Sequence, residues 1–134
     1  MYYNYFETGD LITTRVESFP LFFHKGLVVK EDNDLFIWHN TPVYNGVVKE
    51  KAEDFFKSRE FYKREKTNLD KDKIESLSLK MKNKPFDLLK FNCEQYVYLI
   101  KDNEYKSPQI VLWSIIGVSA ALILFIVLKN SKTK

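Results

Sequence analysis

Residues 110–128 read IVLWSIIGVSAALILFIVL, a run of nineteen residues without a charge. At 1.5 Å per residue, a helix of that length reaches about 28 Å, close to the roughly 30 Å of a bilayer's hydrocarbon core. Such a helix is apolar on every face, and the roughly 105 residues before it make too small a domain to enclose it. Trp113 stands near one end of the run, where an indole sits at headgroup level, and Lys129 closes the other. Six residues follow Leu128, so the segment reads as a tail anchor. The first ten residues, MYYNYFETGD, lack the basic stretch and apolar core of a signal peptide. A cytosolic domain over residues 1–105 and an anchor over residues 106–134 are therefore expected. The three lysines after Leu128, set against a mixed-charge flank at 101–106, argue weakly for the opposite sidedness.

The same division explains the charge. The 134 residues carry a net +3, yet all 18 acidic residues lie at or before Glu104. Four of the 21 basic ones, Lys106, Lys129, Lys132 and Lys134, lie after it. The domain is thus nearly neutral, with 17 basic residues against 18 acidic. The basic excess sits beside the membrane segment, where anionic headgroups attract it. No nucleic-acid partner is implied. An aromatic content of 16% supports a packed domain. One cysteine rules out an intrachain disulfide.

Residues 10–48 carry strand signals. Leu11 and Ile12 open one apolar run after Gly9-Asp10, residues 22–29 form a second and residues 35–38 a third. Glu31-Asp32-Asn33-Asp34 is a turn by composition, and residues 43–48 offer a further short strand broken at Asn45-Gly46. Residues 50–66 are charged, with Ala52, Phe55, Phe56 and Tyr62 on an imperfect apolar face, and predict a helix with a solvated charged side. Ile74, Leu77 and Met81 predict a second helix over residues 71–82, ended by Pro85. A short apolar stretch, 86–91, precedes a last helix. The class is α+β, a small antiparallel sheet followed by helices.

That last helix begins F-N-C-E-Q-Y-V. Asn92 is a favoured N-cap, and Gln95 three residues on completes a capping box, which puts Cys93 at the first helical position. Unpaired amides and the positive end of the helix dipole there favour a thiolate, and the Cys93 N–H is a candidate oxyanion donor. The competing reading is a small buried hydrophobe. The only histidines are His24, in the second strand, and His39, after Trp38 in the third. An antiparallel pair joined at 31–34 brings two such residues together across the ladder. A nucleophile, a base and a polar residue that orients the base make a generalised triad. Two histidines and a cysteine at this spacing match no compact zinc motif, and no cofactor is implied. For Phe22, Phe23 and Trp38, lipid contact competes with core packing, the expected role of at least two of them.

The order G-D-L-I (9–12), H-K-G-L-V-V (24–29), I-W-H-N-T-P (37–42) and F-N-C-E-Q-Y-V (91–97) resembles the lecithin:retinol acyltransferase family. In layout it is most similar to the H-Ras-like suppressor phospholipase/acyltransferases. The resemblance implies a circularly permuted NlpC-type, papain-like fold with a C-terminal membrane helix. It implies Cys93 as nucleophile, His24 as base and His39 as the residue that orients His24. The implied chemistry is transfer of an acyl group from a phospholipid to Cys93, then to water or to an amine or hydroxyl acceptor. Lys25 stands where the family usually has Trp, and Gln95 where it usually has His. All three triad positions are kept, while donor and acceptor preference stay open. A cysteine amidase or peptidase of the wider NlpC-type group is a second reading, and an inactive membrane-associated scaffold a third.

Overall fold

The computed structural model of the chain describes residues 5–131. The N-terminal residues 1–4, and Lys132 and Lys134 of the basic tail, lie outside them. Five strands, β1 (Leu11–Val16), β2 (Phe19–Glu31), β3 (Asp34–Thr41), β4 (Gly46–Lys51) and β5 (Arg59–Glu65), form one sheet. Its order is β4-β3-β2-β1-β5, and every neighbouring pair is antiparallel. The helices are α1 (Ala52–Phe55), α2 (Lys71–Met81), α3 (Cys93–Asp102) and α4 (Pro108–Ser131). The α+β class and the antiparallel sheet agree with expectation.

Tight turns set the registers. Glu31 pairs with Asp34, leaving Asp32-Asn33 as a two-residue hairpin loop, and Asp32 takes the positive φ of 51° that such loops demand. Thr41 pairs with Gly46 across the next turn, where Asn45 has the same φ of 51°. Gly9 has a φ of +92°, and a Cβ there would meet Leu69 O at 2.3 Å, so only glycine fits.

Strand alternation divides the core in two. Leu11, Leu27, Val29, Trp38 and Val47 pack against Ile74 of α2 and Tyr96, Val97 and Ile100 of α3. On the other face Ile12, Val28 and Ile37 pack against Phe6 and against Ala52 and Phe55 of α1. Both faces of the sheet are thus covered. The α2 helix starts where Asp70 accepts from Lys73 N at 2.7 Å, an N-cap, and joins α3 through Ser78 Oγ and Tyr96 Oη, 2.6 Å apart.

The helix expected over residues 50–66 does not form. Glu50 and Lys51 finish β4, α1 is a single turn, and residues 59–65 are the edge strand β5 against β1. Period-two patterning accounts for this. Phe61 meets Phe6 on one side, with ring centroids 5.5 Å apart, and Tyr62 meets Phe23 on the other at 4.8 Å. An edge strand tolerates, and is protected by, the charges that mimic a solvated helix.

After α3, Asn103 ends the helix in the left-handed region at φ 54°. Residues 104–107 lead directly into α4. The stretch Pro108–Leu128 is 21 residues long, apolar and not covered by the rest of the fold, long enough to cross a membrane.

Candidate active site

The N-terminus of α3 is fixed from several directions. Asn92 Oδ1 accepts from Glu94 N at 2.9 Å and Gln95 N at 3.0 Å, while Gln95 Oε1 accepts from Asn92 N at 2.9 Å. This is the capping box expected from the sequence. Asn40 Nδ2 donates to Phe91 O at 2.7 Å and ties the helix entrance to β3. Cys93 follows as the first helical residue, only 8% exposed. Asn92 takes the amides of Glu94 and Gln95 with its side chain and that of Tyr96 with its carbonyl. The Cys93 N–H is the first-turn amide the cap leaves open.

His24 and His39 meet as expected. His24 Nε2 and His39 Nδ1 are 2.8 Å apart, and both side chains are buried. The chain of contacts continues to a residue that sequence reasoning missed: His39 Nε2 lies 3.0 Å from Glu50 Oε2. An ionised carboxylate only accepts, so this contact fixes the proton of neutral His39 on Nε2. Its Nδ1 is then an acceptor, which obliges His24 to donate from Nε2. His24 Nδ1 is left with the lone pair. A carboxylate two residues removed thus makes His24 a base at a defined atom.

Arg59, also missed, closes the far end. Its Nη1 lies 3.7 Å from Glu50 Oε2 and donates to Phe55 O at 2.6 Å. Tyr44 Oη donates to Glu50 Oε1 at 3.4 Å. The Phe55 ring packs against both imidazoles, 5.7 Å from His24 and 5.0 Å from His39. Burial, then the neighbouring His39 and Arg59, hold His24 well below the usual histidine range. Burial also lowers His39, and its bond to Glu50 opposes that. Both imidazoles are neutral at pH 7.

Cys93 lies beside this relay but is not hydrogen-bonded to it. Its Sγ is 3.9 Å from Phe23 O, and the backbone N–H of Lys25 also points at it. The β2–β3 ladder runs from Glu31↔Asp34 to Leu27↔Trp38, and the thiol sits against the next stretch of β2. Alternation along β2 turns His24 toward the α1 face with Val28, so thiol and imidazole flank the same strand segment. A thiolate favoured by the helix N-terminus was the expectation, and the environment reverses it. Burial pushes the Cys93 thiol up to about 11, outweighing the amides of Lys25 and Glu94 that favour the anion. The resting pair is a neutral thiol and a neutral imidazole.

The first turn of α4 is built into the same site. Gln109 Nε2 donates to Phe23 O at 2.9 Å, and its Oε1 accepts from Phe23 N at 2.8 Å, next to His24. Glu94, only 2% exposed, accepts from Ser107 Oγ at 2.8 Å and Gln109 N at 2.9 Å, with Lys25 Nζ 3.9 Å away. The buried carboxylate that follows Cys93 therefore receives the amide end of α4. Of the three aromatics weighed for lipid contact, Trp38 is core and Phe23 half-buried, while Phe22 is exposed and stacks on Trp113 at 5.4 Å. Among the described residues, no group of three or more His, Cys, Asp or Glu side chains is arranged to hold a metal ion.

Comparison with protein-family models, with curated proteins and with solved structures finds no match to the chain.

Proposed function

We propose that the chain is a membrane-anchored thiol acyltransferase or phospholipase of the lecithin:retinol acyltransferase type, with the permuted NlpC-type topology which that resemblance implies. One observation carries the reading. The relay Glu50–His39–His24 leaves a basic nitrogen on a strand segment against which the capped, N-terminal Cys93 lies.

In the proposed cycle, a lipid ester enters between Cys93 and His24. Small rotations of Sγ and the imidazole bring them into contact, a closure common between resting and substrate-bound sites. His24 Nδ1 takes the thiol proton as Sγ bonds to the acyl carbon. The carbonyl oxygen becomes an oxyanion facing the open Cys93 N–H. Collapse breaks the ester C–O bond, the leaving alkoxide takes the proton from His24, and a lysolipid departs from an acyl-Cys93 thioester. Water, an amine or a hydroxyl acceptor then loses a proton to His24 and attacks the thioester. The thiolate leaves and recovers that proton. Glu50 stabilises the transient imidazolium through His39. In this reading α4 crosses the bilayer, the domain lies on its cytosolic face, and the lipid substrate is held at high local concentration.

The test incubates the full chain with mixed phosphatidylcholine and phosphatidylethanolamine, followed by mass spectrometry of lipids and protein. Acyl release and a hydroxylamine-labile adduct on Cys93 are expected, both abolished in Cys93→Ala. Equal activity of wild type and variant refutes the assignment.

The missing contact between Cys93 and His24 favours a second reading, an inactive scaffold. Under it, no adduct forms with any lipid, and acylation of Cys93 by a short-chain activated ester is indifferent to His24→Ala.

A further inference from the structure

We infer that the domain is seated on an anionic lipid leaflet by an apolar collar around the root of α4, made of Leu21 and Phe22 on one side and Leu88 and Leu89 on the other. The inference rests on the part of the preceding reading in which α4 crosses a bilayer, and not on the chemistry of Cys93.

These four side chains are exposed, at 68%, 42%, 59% and 66% respectively. They come from distant parts of the sequence, and hydrogen bonds bring them to one place. On the β2 side, the two bonds between Gln109 and the Phe23 backbone and the stack of Phe22 on Trp113 hold residues 21–23 against the first turns of α4. On the other side, Asn92 Nδ2 donates both to Leu88 O, at 2.9 Å, and to Ser107 Oγ, at 3.2 Å. One nitrogen therefore separates the Leu88 backbone from the residue before α4. Gln95 Nε2 holds Leu89 O at 2.9 Å. Trp113 lies about 8 Å along α4 from Pro108, at the depth of an interfacial indole. Phe22 shares that depth because the two rings are stacked. When α4 spans the bilayer, the collar lies at the headgroup–acyl boundary, where exposed leucines are stable.

Charge selects the leaflet. The segment 80–90 carries Lys80, Lys82, Lys84 and Lys90 against one acid, Asp87. Asp87 is engaged by the amides of Leu89 and Lys90. Lys84 lies over the rings of Phe91 at 4.0 Å and Tyr105 at 5.4 Å, near the root of α4. The other charges there are paired: Lys106 with Asp102 and Glu104, and Glu94 with Lys25. Lys84 and Lys90 carry no ion pair among the described residues, which suits phosphate and serine headgroups.

The experiment uses the full chain carrying Cys93→Ser and one new cysteine, Leu89→Cys or Asn33→Cys, labelled with a polarity-sensitive fluorophore. Asn33 is in the β2–β3 turn, about 26 Å along β2 from the Phe23 end. Proteoliposomes contain phosphatidylcholine with or without about 30% phosphatidylserine. Co-flotation reports whether α4 inserts, and its failure refutes the anchoring reading itself. Given insertion, quenching by a shallow lipid-borne nitroxide is expected to be about three-fold stronger at 89 than at 33. It strengthens with phosphatidylserine and loses that gain in Lys84→Glu/Lys90→Glu. Equal, iodide-accessible labels at both positions overturn the collar. Insertion indifferent to phosphatidylserine overturns the anionic preference. A label exposed in pure lipid but shielded in native membranes assigns the surface to a protein and also overturns the proposal. Each result is independent of catalysis, because Cys93→Ser removes the nucleophile.

Discussion

Glu50→Gln isolates the charge of Glu50 from its geometry. Glu50 Oε2 lies between His39 Nε2 at 3.0 Å and Arg59 Nη1 at 3.7 Å, and Oε1 receives Tyr44 Oη at 3.4 Å. An amide there turns its carbonyl oxygen toward the two N–H donors and its NH2 toward Tyr44, which can accept. The proton of His39 stays on Nε2, so His24 Nδ1 stays basic. What is lost is the negative charge that stabilises the imidazolium. A hydrogen bond to a charged group contributes about 1.5–3 kcal/mol, and partial exposure of Glu50 places this one in the lower half, about 1.5–2 kcal/mol. At 1.36 kcal/mol per decade, kcat/KM falls about 10- to 30-fold. The readout is initial acyl release from mixed micelles as a function of pH, with thermal unfolding as a control. Glu50 raises the His39 pKa against burial, and His39 accepts the Nε2 proton of His24. Loss of the Glu50 charge therefore disfavours a further proton on the histidine pair and moves the acid limb of kcat/KM, set by protonation of His24, to lower pH. A variant within two-fold of wild type, with the acid limb unmoved, refutes the relay.

Alkylation of Cys93 by iodoacetamide should rise through neutral pH without a plateau, as expected for a thiol pushed up to about 11; a plateau near neutrality contradicts the neutral resting pair. Glu31, bonded to Lys49 and Lys71, is lowered from 4.5 to about 2. Because the folded value is the depressed one, its stabilisation is full above about pH 4.5 and is lost as pH falls toward 2. Glu31→Gln should flatten the pH dependence of the unfolding midpoint in that window, and an unchanged slope refutes the assignment. Gly26→Ala puts a Cβ 2.4 Å from Ile37 Cγ2 and 3.5 Å from His39 Cβ, with Ile37 fully buried. Overpacking of this kind costs about 1–3 kcal/mol, so urea unfolding should shift to lower midpoint and activity should fall with it.

The parts of the site read correctly from sequence were those with local physical causes. The cap at Asn92 and the position of Cys93 follow from residues three apart, and the meeting of His24 and His39 follows from a two-residue turn. Glu50 and Arg59 escaped for one shared reason. Mixed charge over 50–66 favoured a helix, which moved both off the sheet. Had β4 been continued by two residues, Glu50 would have fallen on the face of Val48, the register partner of His39. Lys25 and Glu94 meet across β2 and α3, and Gln109 reaches Phe23 across 86 positions of chain, so no local pattern reveals either contact. The thiol's protonation is not legible in the sequence, because a helix N-terminus is visible there whereas burial is a property of the packed domain.

The neutral resting pair has a consequence for how the proposed reaction must run. Taken as independent groups, a thiol near 11 and an imidazole below 6.5 put proton transfer at about 6 kcal/mol at 1.36 kcal/mol per pH unit. Attraction within the resulting ion pair lowers that cost. A turnover of about 1 per second corresponds to a barrier near 17 kcal/mol, so this cost is admissible but leaves about 11 kcal/mol for carbonyl attack. It falls if the charge never rests on sulfur, which requires proton transfer and C–S bond formation in one step. The open Cys93 N–H and the Glu50 relay act at the two ends of that step, on the oxyanion and on the imidazolium. A soluble alkylating agent supplies no oxyanion and draws on neither. Cys93 should therefore react slowly with iodoacetamide yet acylate readily from a short-chain activated ester, and His24→Ala should collapse the second rate far more than the first. Equal losses in both rates would mean that His24 acts by forming a resting thiolate, contrary to its buried, neutral environment.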